Sequence, residues 1–246
     1  MRIVVLDGHT LNPGDNPWTP LSHLGSLKVY PNSSPNELVE RLNGAQIAIT
    51  NKVHLRADVL DALPELRFIS VTATGVNTID LEATARRNIP VSNVPSYGSQ
   101  TVAQFVFAQI LHWCHKVAEH DTAIRNGKWA QNGHFSFWTS PQVELKGKTL
   151  GIIGFGKIGQ SVATIATAFG MQTLVNTRTR STNSFPAVEY TELAPLLARS
   201  DFVSLHCPLT ATTQNMVNAE FLSNMQQRAC LINTARGELV CEQDLA

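Results

Sequence analysis

The chain has 246 residues, of which 43% are hydrophobic and 15% charged, and its 19 lysine and arginine residues balance its 19 aspartate and glutamate residues. This length is sufficient for two domains that each bury a core. Because there is no net charge, we expect no broad basic surface, and therefore neither nucleic acid nor a membrane as a partner. The four cysteines include no CxxC pair, which argues against a disulfide framework and favours reduced thiols in a soluble cytoplasmic protein.

Short β-branched runs alternate with helical stretches at the start of the chain. The runs IVVL, LKVY, AQIAIT and LRFISVT predict strands at 3–6, 27–30, 45–50 and 66–72, with helices such as ELVERL and RADVLDAL between them. This alternation is typical of a parallel sheet covered by helices on both faces. The segment PVSNVP, from Pro90 to Pro95, closes the series.

The rest of the chain begins with a long amphipathic segment, which predicts a helix from about Ser99 to Asn126 that ends at an Asn-Gly cap. An aromatic and polar loop from Trp129 to Pro141 follows. The alternation then restarts and predicts the strands LGII, QTLV, FVSL and ACLIN, with helices that begin near Lys157, Thr191, Asn218 and Glu242. The restart marks a second α/β domain.

The motif GFGKIG directly follows a predicted strand and opens a predicted helix. In this position the first glycine makes a tight turn, the second lets the backbone approach a pyrophosphate, and the third lets the helix pack closely on the strand. The alternative is a tight glycine turn that binds no ligand. The context favours a dinucleotide site formed by Gly154, Phe155, Gly156, Lys157, Ile158 and Gly159.

Three longer stretches carry a resemblance to a known family. They are ATGVNTIDLEATARRNIPVSNVPSYGSQTVAQ from Ala73, LKGKTLGIIGFGKIGQSVATIATAFGM from Leu145 and LHCPLTATTQNMVNAEFLSNMQQRACLINTARGELV from Leu205. Together with TNKV at 50–53, they resemble the D-isomer-specific 2-hydroxyacid dehydrogenases over nearly the whole chain. The SYGSQTVAQ segment and the aromatic loop after Trp129 most resemble the glycerate dehydrogenase or hydroxypyruvate reductase branch.

The resemblance implies an α/β fold of two Rossmann-like parallel-sheet domains with the active site in a cleft between them. Residues 1–97 would form a flavodoxin-like substrate-binding domain, and residues 98–246 the NAD(P)-binding domain. Substrate-binding roles are implied for Lys52, Gly75 and Val76, since consecutive backbone N–H groups can form a nest for a carboxylate. The cofactor-lining positions implied by the resemblance are Thr101, His206, Cys207, Pro208, Thr234 and Ala235.

Arg236 matches the catalytic arginine of the family. Its guanidinium can bind the carboxylate of a 2-oxo acid and stabilise charge on the carbonyl oxygen; the alternative is a local ion pair with Glu238. The family's acid/base histidine and glutamate, and the last strands of its cofactor sheet, lie further along than this sequence goes. We therefore expect residues 1–246 alone to be inactive and poorly soluble. No metal is expected, because too few ligands accompany His112, Cys114 and His115.

The stretch VNTRTR holds no carboxylate at the place where a dinucleotide-binding fold usually has an acidic residue, about 20 residues after the glycine motif. Thr177, Arg178, Thr179 and Arg180 instead offer hydroxyl and guanidinium donors to a phosphate. Thr177 takes the position where many family members carry aspartate. We therefore predict NADP as the preferred cofactor, with NAD as the alternative cofactor and a solvated basic turn as the alternative to a phosphate site.

The function implied by the resemblance is hydride transfer between NAD(P)H and a small 2-oxo or 2-hydroxy acid, with hydroxypyruvate or glyoxylate converted to D-glycerate or glycolate. The alternative is a dinucleotide-binding regulatory or interaction protein of the corepressor type, without catalysis. The family also implies a homodimer through the cofactor domain. Apolar residues that exceed one buried face of the Ser99 helix, and the aromatic loop Phe135 to Trp138, favour such an interface.

Overall fold

The computed structural model describes residues 1–12, 14–180, 185 and 188–246. The chain divides into two compact units, Met1–Tyr97 and Gly98–Ala246. Each unit has a parallel sheet of five strands in its described residues. The predicted α/β class with two parallel sheets is confirmed.

The first unit has the strand order β2-β1-β3-β4-β5. This is the flavodoxin-like order, in which the chain reverses direction across the sheet between β1 and β3. Its strands are β1 (Arg2–Val5), β2 (Ser26–Val29), β3 (Ile47–Thr50), β4 (Phe68–Val71) and β5 (Val91–Ser92), and its helices are α1 (Thr19–Ser22), α2 (Leu38–Leu42), α3 (Ala57–Asp61) and α4 (Leu81–Arg86).

The second unit has the strand order β10-β9-β6-β7-β8. Its first strand is therefore central and the sheet is wound outward in both directions, as in a dinucleotide-binding fold. The strands are β6 (Thr149–Ile153), β7 (Gln172–Asn176), β8 (Val188–Tyr190), β9 (Phe202–Leu205) and β10 (Cys230–Asn233). The helices are α5 (Ser99–His115), α6 (Val117–Arg125), α7 (Lys128–Gln131), α8 (Lys157–Ala168), α9 (Leu193–Arg199), α10 (Ala219–Asn224) and α11 (Glu242–Leu245).

The central strands of the second unit are buried on both faces. Successive residues of β6 belong to different cores: Ile152 packs with residues of α5 and α8, whereas Ile153 packs with residues of α9 and α10. Because both faces need apolar side chains, these strands read as continuous hydrophobic runs rather than as an alternating pattern. The two helical layers hold β6 and β9 in place, and both strands lead directly into candidate site residues.

The predicted single helix from Ser99 to Asn126 is wrong, because the structure has two helices. Lys116 separates them with φ 45° and ψ 45°, the left-handed conformation, and its N–H bonds to the carbonyl of His112. The predicted Asn-Gly end is confirmed, since Asn126 caps α6 and Gly127 has φ +76°.

Two short strands were not predicted. β5 lies within the proline-rich segment that was expected only to close the series, and β8 lies at the far edge of the second sheet. The predicted aromatic loop also begins inside α7. Both strands are edge strands of two or three residues, which are too short to give a hydrophobic pattern.

No helix among the described residues has the length and apolar character that a membrane span requires. The four cysteines are free thiols. Within the described ranges no three potential metal-binding side chains come together.

Candidate cofactor and substrate sites

The glycine motif forms the turn between β6 and α8. Gly154 has φ +92°, which L side chains rarely adopt, and a Cβ there would lie 2.6 Å from the backbone nitrogen of Cys207. A Cβ on Gly159 would lie 2.4 Å from the carbonyl oxygen of Gly154. Both positions therefore require glycine, the first for the turn and the second for close packing of α8 on its strand.

The middle glycine has a different environment. A Cβ on Gly156 would meet no heavy atom within 4 Å, so the backbone here is open on that side. Gly156 is also the N-cap of α8, and it has no side chain that could accept a hydrogen bond from the first turn. The start of this 12-residue helix is thus suited to an anion.

The other three residues of the motif differ in exposure. Phe155 is buried in the core, Ile158 packs partly against that core, and Lys157 is exposed at the start of α8. The packing of Phe155 and Ile158 against the core of the second unit therefore holds the turn in position. The open backbone of Gly156, between glycines that admit no side chain, fits the pyrophosphate of a dinucleotide.

The end of β7 lies next to this turn. The carbonyl of Asn176 accepts a hydrogen bond of 2.8 Å from the backbone N–H of Gly154. The Asn176 side chain donates to the carbonyl of Thr191 at 3.0 Å, which ties β7 to the residue after β8. The basic stretch that follows Asn176 therefore starts beside the candidate pyrophosphate site.

That basic stretch forms an exposed bend. The hydroxyl of Thr177 donates to the carbonyl of Thr179 at 3.2 Å, while Arg178, Thr179 and Arg180 are exposed. Neither arginine forms an ion pair with a carboxylate of the described residues. Two guanidinium groups are thus available to an anionic ligand.

His206 follows β9 and is largely buried. Its Nε2 atom lies 2.9 Å from the hydroxyl oxygen of Ser204, and burial lowers the pKa of His206 to about 4. Next to it, burial raises the pKa of the Cys207 thiol, which lies 3.7 Å from the sulfur of Met216. Pro208 is exposed. At neutral pH His206 and Cys207 are therefore both uncharged.

The turn after β10 carries Arg236. Asn233 brackets this turn, since its amide nitrogen donates to the Arg236 carbonyl at 2.7 Å and its amide oxygen accepts from the Ala235 N–H at 3.0 Å. The exposed Arg236 guanidinium donates to the Ala235 carbonyl at 2.9 Å and forms no ion pair with Glu238. The hydroxyl of Thr234 is buried and has no partner among the described residues. The alternative role of Arg236 as a partner of Glu238 is absent from this structure.

The substrate-binding candidates of the first unit lie in loops that follow its strands. Lys52 comes after β3, and the carboxylate of the buried Asp7 accepts hydrogen bonds from the backbone N–H groups of Asn51 and Lys52 at 2.9 and 2.6 Å. The Lys52 side chain itself is exposed. Gly75 and Val76 are half-buried in the loop between β4 and α4. Loops after the carboxyl ends of parallel strands are where such sheets bind ligands.

Thr101 is exposed in the first turn of α5. Helix α5 packs on α8, and the side chain of Gln100 donates to the hydroxyl of Ser161 at 3.3 Å. The start of α5 is therefore fixed to the helix that carries the glycine motif.

Sequence reasoning missed two residues that shape these loops, Asp7 and Asn233. Asn233 ends β10 and Asp7 lies two residues after β1, and a polar residue at the carboxyl end of a strand is the signal that could have identified each of them. Their hydrogen-bond partners are backbone groups, and no residue pattern specifies which N–H or carbonyl will face a side chain.

Residues 107–246, more than half of the chain, match the family described as "D-isomer specific 2-hydroxyacid dehydrogenase, NAD binding domain". The chain is 42% identical to a hydroxypyruvate reductase of Blautia hydrogenotrophica, over all of this chain and 77% of that protein. It resembles the structure of an acyclic imino acid reductase (Bsp5) with NADPH and D-Arg, with a TM-score of 0.84 and 30% identity over all of this chain and 78% of that one.

It also resembles the structure of D-lactate dehydrogenase from Aquifex aeolicus with NAD and lactic acid, with a TM-score of 0.86 and 28% identity over all of this chain and 72% of that one. The matched family, the identity to the Blautia protein and the order of both sheets agree with one another. The chain belongs to the D-isomer specific 2-hydroxyacid dehydrogenase family.

Proposed function

We propose that the full-length gene product is an oxidoreductase that transfers a hydride between a nicotinamide cofactor and a small 2-oxo or 2-hydroxy acid. The substrates proposed are hydroxypyruvate and glyoxylate, which would be reduced to D-glycerate and glycolate. Family membership and the similarity to a hydroxypyruvate reductase support this proposal. The observation that carries it is the glycine turn, whose backbone is open at Gly156 and closed to any side chain at Gly154 and Gly159.

The proposed task of Arg236 is to bind the substrate carboxylate and to stabilise the negative charge on the reacting carbonyl oxygen. Its guanidinium is exposed and has no carboxylate partner among the described residues. Asn233 fixes the backbone on which it is carried. A preorganised cation of this kind stabilises the transition state more than the ground state. The bound cofactor supplies the hydride.

We assign substrate binding in the first unit to Lys52, Gly75 and Val76. Asp7 would act on this loop indirectly, because its carboxylate holds the backbone N–H of Lys52. Two successive N–H groups at Gly75 and Val76 suit a carboxylate oxygen. These assignments stay predictions from the resemblance.

His206 is not assigned as the general acid. A general acid is most effective when its pKa is near the working pH, whereas burial holds the pKa of His206 at about 4. His206 is therefore neutral at neutral pH in this structure. With Cys207, Pro208, Thr101, Thr234 and Ala235 it is proposed to line the cofactor site.

We propose that NADPH is preferred over NADH. Similar structures hold NADPH in one case and NAD in another, so the proposal depends on the turn after β7. With Thr177 where many relatives carry aspartate, and Arg178 beside it, the local charge is about +1 rather than −1. A hydrogen bond to a charged group contributes about 1.5 to 3 kcal/mol, which corresponds to about one to two decades in affinity.

A homodimer through the second unit is also proposed. Phe135 is 95% exposed, Trp138 68% and Phe105 55%, and such aromatic patches usually mark interfaces. Sedimentation of the full-length gene product should give the mass of a dimer at micromolar concentration; a monomer would contradict this. The free cysteines are consistent with the predicted cytoplasmic location.

The activity is tested with the full-length gene product and a panel of small 2-oxo acids, followed as loss of reduced-nicotinamide absorbance. Hydroxypyruvate or glyoxylate should be turned over, and Arg236→Gln should lower kcat/KM by about 10²- to 10³-fold. Arg125→Ala, which removes an exposed arginine paired with Asp121 on α6, is the matched control and should change kcat/KM less than about twofold. Cofactor binding without turnover of any acid would instead indicate a dinucleotide-binding protein without catalysis.

A further inference from the structure

Arg180, at the end of the basic turn after β7, lies over an aromatic ring. Its guanidinium carbon is 5.4 Å from the ring centroid of Tyr190. A cation this close to a tyrosine ring is attracted by the electron-rich face of the ring. Tyr190 ends β8 and is in register with Val175 of β7, so the ring is fixed beside the strand that leads into the turn.

Tyr190 is itself held by the glycine motif. Its ring packs edge-on against Phe155, with centroids 5.8 Å apart and an interplanar angle of 85°. Phe155 is only 5% exposed and is the second residue of the motif. A continuous set of contacts therefore leads from the candidate pyrophosphate turn through two rings to the guanidinium of Arg180.

The phenol oxygen of Tyr190 makes none of these contacts. It is buried and has no hydrogen-bond partner among the described residues. Since a buried unpaired hydroxyl is unfavourable, the ring rather than the hydroxyl fixes the position of this side chain. Phenylalanine should therefore serve equally well at this position.

The positive charge of Arg180 is not neutralised by the neighbouring carboxylate on β8. Glu189 is held by both terminal nitrogens of Arg199, at 2.6 and 2.8 Å. No carboxylate of the described residues pairs with Arg180. The guanidinium is thus oriented by a ring and remains available to an anion.

We infer that Tyr190 is a positioning residue, which holds the Arg180 guanidinium for the 2′-phosphate of NADPH. This inference rests on the proposed preference for NADPH, and it adds an aromatic platform to the two arginines of the basic turn. A planar guanidinium that is held in place loses less conformational entropy when it binds a phosphate in two places.

The test measures dissociation constants of the full-length gene product for NADPH, NADH, 2′,5′-ADP and 5′-ADP by calorimetry. Tyr190→Leu should raise the dissociation constants for NADPH and 2′,5′-ADP by about 3- to 10-fold, the range of a partly desolvated cation–π contact. It should change the dissociation constants for NADH and 5′-ADP by less than about twofold. Tyr190→Phe should retain the selectivity. Arg180→Ala should weaken binding of the two ligands that carry a 2′-phosphate at least as much as Tyr190→Leu does. Arg125→Ala should leave all four dissociation constants unchanged.

The outcomes separate the inference from the proposal beneath it. If the unsubstituted protein binds NADH as tightly as NADPH, the proposed preference is wrong and the inference is wrong with it. If it prefers NADPH and Tyr190→Leu keeps that preference, only the inference is overturned. If Tyr190→Leu weakens the binding of all four ligands equally, Tyr190 has a general structural role and the inference is overturned. If Tyr190→Leu does not fold, retained NADPH selectivity in Arg180→Ala would overturn the inference.

Discussion

At the scale of single residues, His206 gives the second unit a pH-dependent stability. Burial lowers its pKa from 6.5 to about 4, so between these values the unfolded chain binds a proton that the folded chain does not. Stability is therefore fully present above about pH 6.5 and is lost as the pH falls towards 4. A fall from about pH 7 to about pH 4.5 should lower the free energy of unfolding by roughly 2 to 3 kcal/mol through His206 alone.

His206→Gln is the variant that isolates this effect, because glutamine can keep a polar contact to Ser204 but does not titrate. Urea unfolding at both pH values should show a smaller loss of stability in the variant than in the unsubstituted chain. Equal losses in both proteins would mean that His206 is not held neutral.

Residues whose backbone conformation dictates their identity could be predicted from the sequence. Gly154 and Gly159 are required by a positive φ and a close contact, and such requirements leave a readable motif. The roles of Asp7 and Asn233 could not be predicted, because their partners are backbone groups that no residue pattern specifies. In the case of Asp7 those groups lie more than forty residues away in the chain. Tyr190 was missed for a different reason, since its partners are side chains of two other segments, Phe155 and Arg180.

At the scale of elements, the sequence predicted the central strands of both sheets, whose apolar runs are continuous because they are buried on both faces. It failed at the boundary between α5 and α6, where a glycine would have been the usual signal. Lys116 adopts the left-handed conformation without being glycine, and the apolar pattern continues past it. The edge strands β5 and β8 were not predicted for a different reason, since they have too few residues to show a pattern.

The break at Lys116 gives a prediction at this scale. A left-handed conformation costs an L side chain about 1 kcal/mol or more relative to glycine, whereas the exposed Lys116–Glu119 pair contributes little. Lys116→Gly should therefore raise the unfolding free energy by about 0.5 to 1 kcal/mol in urea titration. Lys116→Ala, which loses the same ion pair and keeps a Cβ, should not stabilise the protein, and stabilisation by both variants would contradict the explanation.

At the scale of the whole molecule, the two units have separate cores and the proposed cofactor site lies in the second. NADPH at about 100 times its Kd should stabilise the folded second unit by about 2.7 kcal/mol. In hydrogen exchange with mass spectrometry, slower exchange should therefore appear at 149–176 and 202–210, while NADH at the same multiple of its own Kd should protect both ranges equally. Protection confined to Met1–Tyr97 would contradict the proposed location of the site.

The central claim is that a hydride passes directly from the nicotinamide to carbon 2 of a small 2-oxo acid. The most direct test is turnover of hydroxypyruvate by the full-length gene product with NADPH that carries deuterium in both positions at the reacting carbon of the ring, followed by mass spectrometry of the product. The account predicts D-glycerate with one deuterium at carbon 2, and the same labelling of glycolate from glyoxylate. Glycerate without deuterium, or no reduction of either acid while NADPH is bound, would contradict it.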